Sequence, residues 1–169
     1  MNIETVINKL RPKRRVPRLL TVKQSRFLTP HMIRVTFHGE ELAGFAPDCA
    51  GAHCKIVLPA IGQSREDFAR QLEDGVGLTR RTYTVRHYRP DALEMDVDFV
   101  DHGDEGPASA WANRAEPGSF CGFAGPSQPK ITEFKADWYL VSADMSALPV
   151  AAATLAAMPR LKVVVALGK

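Results

Sequence analysis

From Leu19 onward, apolar and polar positions alternate with the period of a β-strand. In HMIRVTFHG (31–39), Ile33, Val35 and Phe37 alternate with Arg34, Thr36 and His38. In LEMDVDFVDH (93–102), Leu93, Met95, Val97 and Phe99 alternate with Glu94, Asp96 and Asp98. Each segment therefore offers one face to a core. LLTVKQSRF (19–27), AHCKIVLP (52–59), RRTYTVRHY (80–88) and SFCGFAG (119–125) are strand-like too. Between the third and fourth lies the polar IGQSREDFARQLEDGVGLT, whose Phe68 and Leu72 at i, i+4 predict at most a short surface helix. Another short helix is expected at Pro107, where a first-turn proline loses no hydrogen bond. Short antiparallel segments of this kind predict a six-stranded, Greek-key-like β-barrel.

After about residue 135 the pattern changes. DWYLVSA reads as a buried strand, SALPVAAATLAAM as an alanine-rich helix and LKVVVALG as a second buried strand, which together make a βαβ unit. Two strands and one helix cannot cover both faces of a sheet, so an incomplete α/β nucleotide-binding domain is expected. The chain divides into a basic arm (1–18), a barrel (19–135) and this first βαβ unit (136–169).

A length of 169 residues suits one domain and the beginning of another. No apolar run approaches the ~20 residues of a spanning helix. The start, MNIETVINKLRPKRR, lacks a secretory apolar core, so a cytoplasmic, membrane-free protein is expected. Cys49, Cys54 and Cys121 form no CxxC pair, and no histidines sit at zinc-ligand spacing. Reduced packing thiols and no metal site follow. The net charge of +3 is concentrated in the arm, where Lys9, Arg11, Lys13, Arg14, Arg15 and Arg18 crowd together. That block reads as a solvated segment or as an aid in attracting an anion.

Three stretches carry candidate chemistry. In RRTYTVR (80–86), Tyr83 offers a flat ring, Arg81 an anion contact and Thr84 a hydroxyl, but alternation separates Thr84 from the other two unless the strand ends or twists there. On spacing alone, a polar surface strand with a cross-strand aromatic pair explains the segment as well. DHGDEGPASAW (101–111) runs through a glycine turn into a helix, where Gly106, free N–H groups and Ser109 suit a pyrophosphate. Asp104 and Glu105 argue the other way, as simple helix caps. SADMSALP (142–149) begins the βαβ helix with Ser146 as the expected N-cap, at the strand end where nucleotides settle in open sheets. It carries no GxGxxG or Walker loop.

In combination, TPHMIRVTFHGEELAGF (29–45), AHCKIVLP (52–59), RTYTVR (81–86), VDFVDHGDEGPASAWA (97–112), PGSFCGFAGP (117–126) and ADWYLVSADMSALPVAAATLAAMP (136–159) resemble the siderophore-interacting proteins. These are NAD(P)H-dependent ferric-siderophore reductases of the ferredoxin-reductase superfamily. The resemblance implies an FAD-binding barrel followed by a nicotinamide-nucleotide domain. It implies Arg81 at the FAD phosphates, Tyr83 stacked on the isoalloxazine and Thr84 near flavin N5. Asp98, His102, Gly106, Ala108 and Ser109 complete the FAD site, and Asp144, Ser146, Ala147 and Leu148 the nucleotide turn. The family's GDETALPA appears as ADMSALPV, so Ala143, Met145 and Ser146 depart from it. Lys55, Arg86 and Lys130 are the implied contacts to an anionic ferric siderophore.

The implied chemistry moves a hydride from NAD(P)H to FAD and then single electrons to Fe(III), with no protein acid, base or nucleophile. A monomer is expected. Two other readings remain: an FAD-binding module without complete reductase activity, and a nucleic-acid-binding barrel using the basic arm and exposed aromatics. The flavin reading is preferred, with no nucleic-acid partner.

Overall fold

The computed structural model describes residues 16–128, 134–158 and 162–167, so most of the basic arm lies outside the described residues. Strands β1 (Arg18–Thr29), β2 (Met32–His38), β3 (His53–Leu58), β4 (Thr79–Arg89), β5 (Glu94–Val100) and β6 (Phe120–Ala124) close into an antiparallel barrel. Their spatial order is β1-β2-β5-β4-β3-β6, a Greek-key arrangement. The alternation in the sequence sets which way each side chain points. Ile33, Val35 and Phe37 of β2 and Met95, Val97 and Phe99 of β5 are all buried inside.

The outer faces of the same strands are polar but not bare. Register places Arg34 opposite Asp98 and Thr36 opposite Asp96. Arg34 Nε and Nη2 donate to the two Asp98 carboxylate oxygens at 2.7 and 2.8 Å, a bidentate pair. Thr36 Oγ1 donates to Asp96 at 2.8 Å, and both terminal nitrogens of Arg89 donate to it at 2.8 and 2.7 Å. His87 Nδ1 lies 3.0 Å from the same carboxylate. Burial alone would raise the Asp96 carboxyl, but the hydrogen bonds from Arg89, Thr36 and His87 outweigh it and hold the group well below the usual carboxylate range.

Helix α1 (Arg65–Asp74) connects β3 to β4. Ser64 caps it by accepting from the Asp67 N–H at 3.1 Å, and Gly75 ends it in the left-handed region at φ 67°. The short surface helix expected here is found, ten residues long, with only Phe68 and Leu72 buried against the barrel. Phe68 and Leu72 form a small outer core with Val57, Leu19, Leu78 and Phe120. Close approach is possible because β6 carries Gly122 beneath them. A Cβ at that position would stand 2.7 Å from Leu72 Cδ2 and 2.9 Å from Val57 Cβ.

Helix α2 (Pro107–Arg114) follows β5 and lays Trp111 against Phe37 and Phe99. Beyond the barrel, β7 (Trp138–Ala143), α3 (Leu148–Ala157) and β8 (Lys162–Leu167) follow, and β7 and β8 pair in parallel. The sequence reads DWYLVSA as buried on both faces, yet Trp138 and Leu140 are 67% and 61% exposed. The reason is that one helix covers only one face of two strands. Helix α3 also leans on the barrel: a Cβ at Gly51 would meet the Ala153 Cβ at 3.3 Å. No helix among the described residues is long and apolar enough to cross a membrane.

Two outcomes follow. Gly122→Ala forces Leu72 or Val57 to move and is expected to lower stability by about 1–3 kcal/mol in urea denaturation, the usual cost of overpacking. The second concerns acid. Because Asp96 is depressed in the folded state, the unfolded chain binds more protons near its ordinary value of about 4, so the stability Asp96 contributes is present above that pH and lost below it. Asp96→Asn is expected to be less stable than the wild type at pH 7, with the gap narrowing as urea midpoints are taken toward pH 3.

Candidate functional site

The site begins where β4 changes partner. Residues 79–84 of β4 pair with β3, from Leu58↔Thr79 to His53↔Thr84, whereas pairing with β5 starts only at Val85↔Val97. Val85 is pinned on the β3 side as well, since its N–H donates to Ala52 O at 2.9 Å and its carbonyl accepts from the Gly51 N–H at 2.8 Å. A register shift between Val85 and His87 makes Arg86 the extra residue of a bulge. Strand β5 continues along β2 through Asp98, Phe99 and Val100 without β4 beside it. The two strands part there, and a cleft of about 440 Å³ occupies the opening. Arg81, Thr82, Tyr83 and Thr84 line one side, Asp98 and Val100 another. The start of α2 and the start of α3 close the rest.

This geometry removes the alternation problem in RTYTVR. Arg81 and Tyr83 should point away from Thr82 and Thr84, yet all four reach the cleft because the edge of the strand is itself exposed to it. The Tyr83 ring lies 4.3 Å from the Phe99 ring, centroid to centroid, and burial pushes its phenol up to about 12. Phe99 in turn packs on Trp111 at 5.6 Å, so the tyrosine is held from behind. Thr84 is 7% exposed, and its hydroxyl has no hydrogen-bond partner among the described residues. The Arg81 guanidinium reaches only the Arg80 carbonyl, at 2.9 Å, and pairs with no carboxylate among the described residues. An unpaired cation at the rim of a cleft is a ready contact for an anion.

The α2 tip faces the same space. Gly106 is the N-cap, in extended backbone and without a capping side chain, and Pro107 follows. The N–H groups of Ala108 and Ser109 are therefore left without an intrahelical acceptor. A Cβ at Gly106 would meet nothing within 4 Å, so the backbone is open to a ligand. Asp104 and Glu105, read as possible caps, do not cap. The Ser109 hydroxyl is not free, because it accepts from the His102 N–H at 2.9 Å and donates to Asp101 at 3.1 Å. What Ser109 offers a ligand is its backbone N–H. Asp101 also accepts from Asn113 at 2.7 Å and from the Gly103 N–H at 2.8 Å, and these bonds hold its carboxyl below the usual range. Asp101 and Asn113 were not among the expected site residues, although an Asp two residues before a glycine is a turn signal.

At the start of α3 the expected N-cap is corrected. Ala147 occupies that position, while the Ser146 hydroxyl donates to Asp144 at 2.8 Å and the Ala147 N–H donates to the same oxygen at 2.9 Å. The Ser146 bond, followed by backbone N–H bonds, lowers the Asp144 carboxyl. Ser146 and Ala147 line the cleft; Asp144 and Leu148 do not. His102 lines it with an exposed ring, and Asp98 lines it with both carboxylate oxygens committed to Arg34. His53, opposite Thr84, also lines it; only the register of β3 on β4 reveals that.

The three basic residues expected to meet a substrate are dispersed. Lys55 is exposed beside the cleft, and its ammonium donates to Thr82 Oγ1. Arg86 lies outside the cleft lining, with Nη1 donating to His87 Nε2 at 2.8 Å; burial, then the nearby Arg34 charge, lowers its pKa. Lys130 lies outside the described residues.

Residues 21–130, which span β2 to β6 and most of β1, match the siderophore-interacting FAD-binding domain family. The chain belongs to that family. It is 36% identical over 150 residues to the ferric vibriobactin reductase ViuB of Vibrio cholerae, covering 85% of this chain and 55% of that one. The siderophore-interacting protein SipS of Aeromonas hydrophila superposes with a TM-score of 0.71 at 37% identity, over 89% of this chain and 58% of that one. A siderophore utilization protein from T. fusca gives 0.74 at 34% identity, over 89% and 59%. The chain thus spans about half the length of the curated relatives it matches.

FAD is the cofactor of this family, and the cleft suits it: a backed aromatic ring, an unpaired arginine and an uncapped helix start face one space. Arg81→Ala is expected to weaken FAD binding by ~10- to 100-fold, the loss of a hydrogen bond to a charged group. Arg80→Ala, outside the cleft lining, is expected to leave affinity within about twofold, since exposed charges away from a ligand contribute little. Quenching of flavin fluorescence during titration measures both.

Proposed function

We propose that this chain is the flavin-carrying part of a cytoplasmic ferric-siderophore reductase, accepting reducing equivalents from NAD(P)H and passing electrons to Fe(III) in its siderophore. The cleft between β4, β5 and α2 carries this reading, because it offers separate contacts for a planar ring and for a pyrophosphate. When bound, FAD supplies the conversion between a two-electron donor and a one-electron acceptor. The protein's part is to bind, orient and shield.

In this reading Arg81 and the Ala108 and Ser109 N–H groups hold the pyrophosphate. Tyr83, braced by Phe99, fixes the ring against one wall. Thr84 presents its hydroxyl and strand edge to the polar rim of the ring. Ser146 and Ala147 stand on the opposite wall, where a nicotinamide donor approaches the start of α3. Lys55 places positive charge beside the cleft for an anionic iron complex, and the loss of ligand affinity on reduction of iron favours its release. Residues 19–135 then act as the FAD domain and 136–169 as the beginning of the donor domain. An FAD module without complete turnover is the alternative, and the two readings differ in whether a nicotinamide donor reduces the bound flavin.

The test is spectroscopic. Purified protein loaded with FAD is mixed anaerobically with NADH or NADPH, then with a ferric siderophore and an Fe(II) chelator. Bleaching of the flavin bands, followed by their return with trapped Fe(II), is expected. Protein that retains no FAD overturns the proposal, and retained FAD that neither donor bleaches assigns the chain to the module.

A further inference from the structure

His53 lines the cleft from β3, exposed and directly opposite Thr84, and binding a flavin gives it no task. The backbone shows how close the two residues stand. The His53 N–H donates to the Ser127 hydroxyl at 3.2 Å, and the His53 carbonyl accepts from the Ser127 N–H at 2.8 Å. Both groups therefore turn away from β4. The neighbouring bonds to β4 are made by Gly51 and Ala52, each with Val85. His53 and Thr84 are thus a non-hydrogen-bonded pair, the closer kind, with Cα atoms ~4.5 Å apart and side chains on one face.

We propose that His53 is the base that takes up the proton left behind when the bound flavin gives its electrons to iron, with the Thr84 hydroxyl as the link. The proposal rests on the flavin reading of the cleft, in which Thr84 faces the polar rim of the ring. The balance of the reaction calls for such a group. A hydride brings one hydrogen nucleus and two electrons to the flavin. Two Fe(III) take the electrons singly and become two Fe(II). The nucleus remains as one proton, whose bond to the ring breaks as a bond to an imidazole nitrogen forms. Between them the Thr84 hydroxyl accepts from the ring and donates to His53, as a hydroxyl does both. The imidazolium then returns the proton to water, to which His53 is open.

Among the described residues, the other groups at the cleft do not suit this task. Arg81 and Lys55 are cations and only donate. Both Asp98 oxygens are held by Arg34. Burial pushes the Tyr83 phenol up to about 12, so it keeps its own proton. The Ser109 hydroxyl is held between the His102 N–H and Asp101. His102 stands past the end of β5, beside the α2 start that suits the pyrophosphate. The charged and titratable groups around His53 are therefore Lys55 on its own strand and Arg81, Asp98 and His102 across the cleft. Histidine changes charge between about pH 5 and 8, which fits a group that must both accept a proton and release it.

The test follows His53 and the flavin separately. Protein with isotope-labelled histidine is titrated with FAD by NMR. The His53 ring signals, identified by their loss in His53→Gln, are expected to move. FAD-loaded protein is then titrated to full reduction with dithionite, which bypasses the nicotinamide donor, and mixed anaerobically with ferricyanide, a one-electron acceptor that takes no proton. The return of the flavin bands is timed from about pH 5 to 8. The wild-type rate is expected to rise with pH, because only a neutral imidazole accepts a proton. His53→Gln is expected to be ~10²-fold slower at pH 7 and to lose that pH dependence, the usual contribution of a general base. Free imidazole is expected to restore much of the rate to His53→Ala. Rates unchanged in both variants overturn this inference and leave the flavin site intact. A slower rate that keeps its pH dependence and ignores imidazole also overturns it, since it marks a structural role. A wild type that binds no FAD overturns the flavin reading itself. If neither variant retains FAD, the wild type decides alone, and a return rate flat across the pH range overturns the inference.

Discussion

Strand β4 cannot pair on both edges along its whole length, and the site follows from that constraint. Its first half is committed to β3 and its second half to β5, with the bulge at Arg86 absorbing the extra residue. The barrel is closed in order yet open at one seam. The edge of β4 near Thr84 and that of β5 near Asp98 have no strand between them, and backbone groups in such a position need water or a ligand. Helices α2 and α3 both start beside that seam, which is why residues from β3, β4, β5 and the two helix starts converge there.

An open seam would be a weak point if nothing held the strands on either side of it. Past the bulge, Arg89 spans to Asp96 and Glu94 while Thr36 bonds Asp96 from β2. Beside the opening, Arg34 grips Asp98 with two short bonds, and this pair raises the Arg34 pKa. Lys23 of β1 closes the network by donating to Glu94. Removing one partner from such a cluster leaves a partly buried charge uncompensated, so the cluster specifies register more than it adds to net stability. Arg86 belongs to this outer network. Its guanidinium can only donate, so His87 Nε2 accepts and the imidazole proton sits on Nδ1, facing Asp96.

Much of this was legible before any coordinates. The two-residue period identified Ile33, Val35, Phe37, Met95, Val97 and Phe99 as inward but misplaced Leu93, which sits in a turn before β5 at φ 49°, and the shift to apolar runs after residue 135 located the βαβ unit. RTYTVR and GPAS were recognisable as a pair because each supplies half of what a flavin nucleotide requires. What stayed hidden depends on pairing across distance. His53 reaches the cleft only because β3 lies beside β4 in one register, and Arg86 leaves it only because a bulge falls there. Local hydrogen bonds explain the remaining differences. Ser109 looks like a free hydroxyl in sequence and Ser146 like an N-cap, but a nearby aspartate takes the hydroxyl of each.

Charge around the cleft is arranged along one direction. Arg81 and Lys55 lie toward the β3–β4 side, the uncapped α2 start lies in the middle, and Asp104 and Glu105 stand beyond it. Net charge hides this pattern, since cations and anions nearly cancel over the whole chain. For a dinucleotide the order matters more than the sum. On the proposed reading Arg81 and the α2 start meet the pyrophosphate together, and a ligand reversed in the cleft would carry its planar ring away from Tyr83. Tyr83 adds to the same asymmetry, because its ring packs on Phe99 of β5 across the seam.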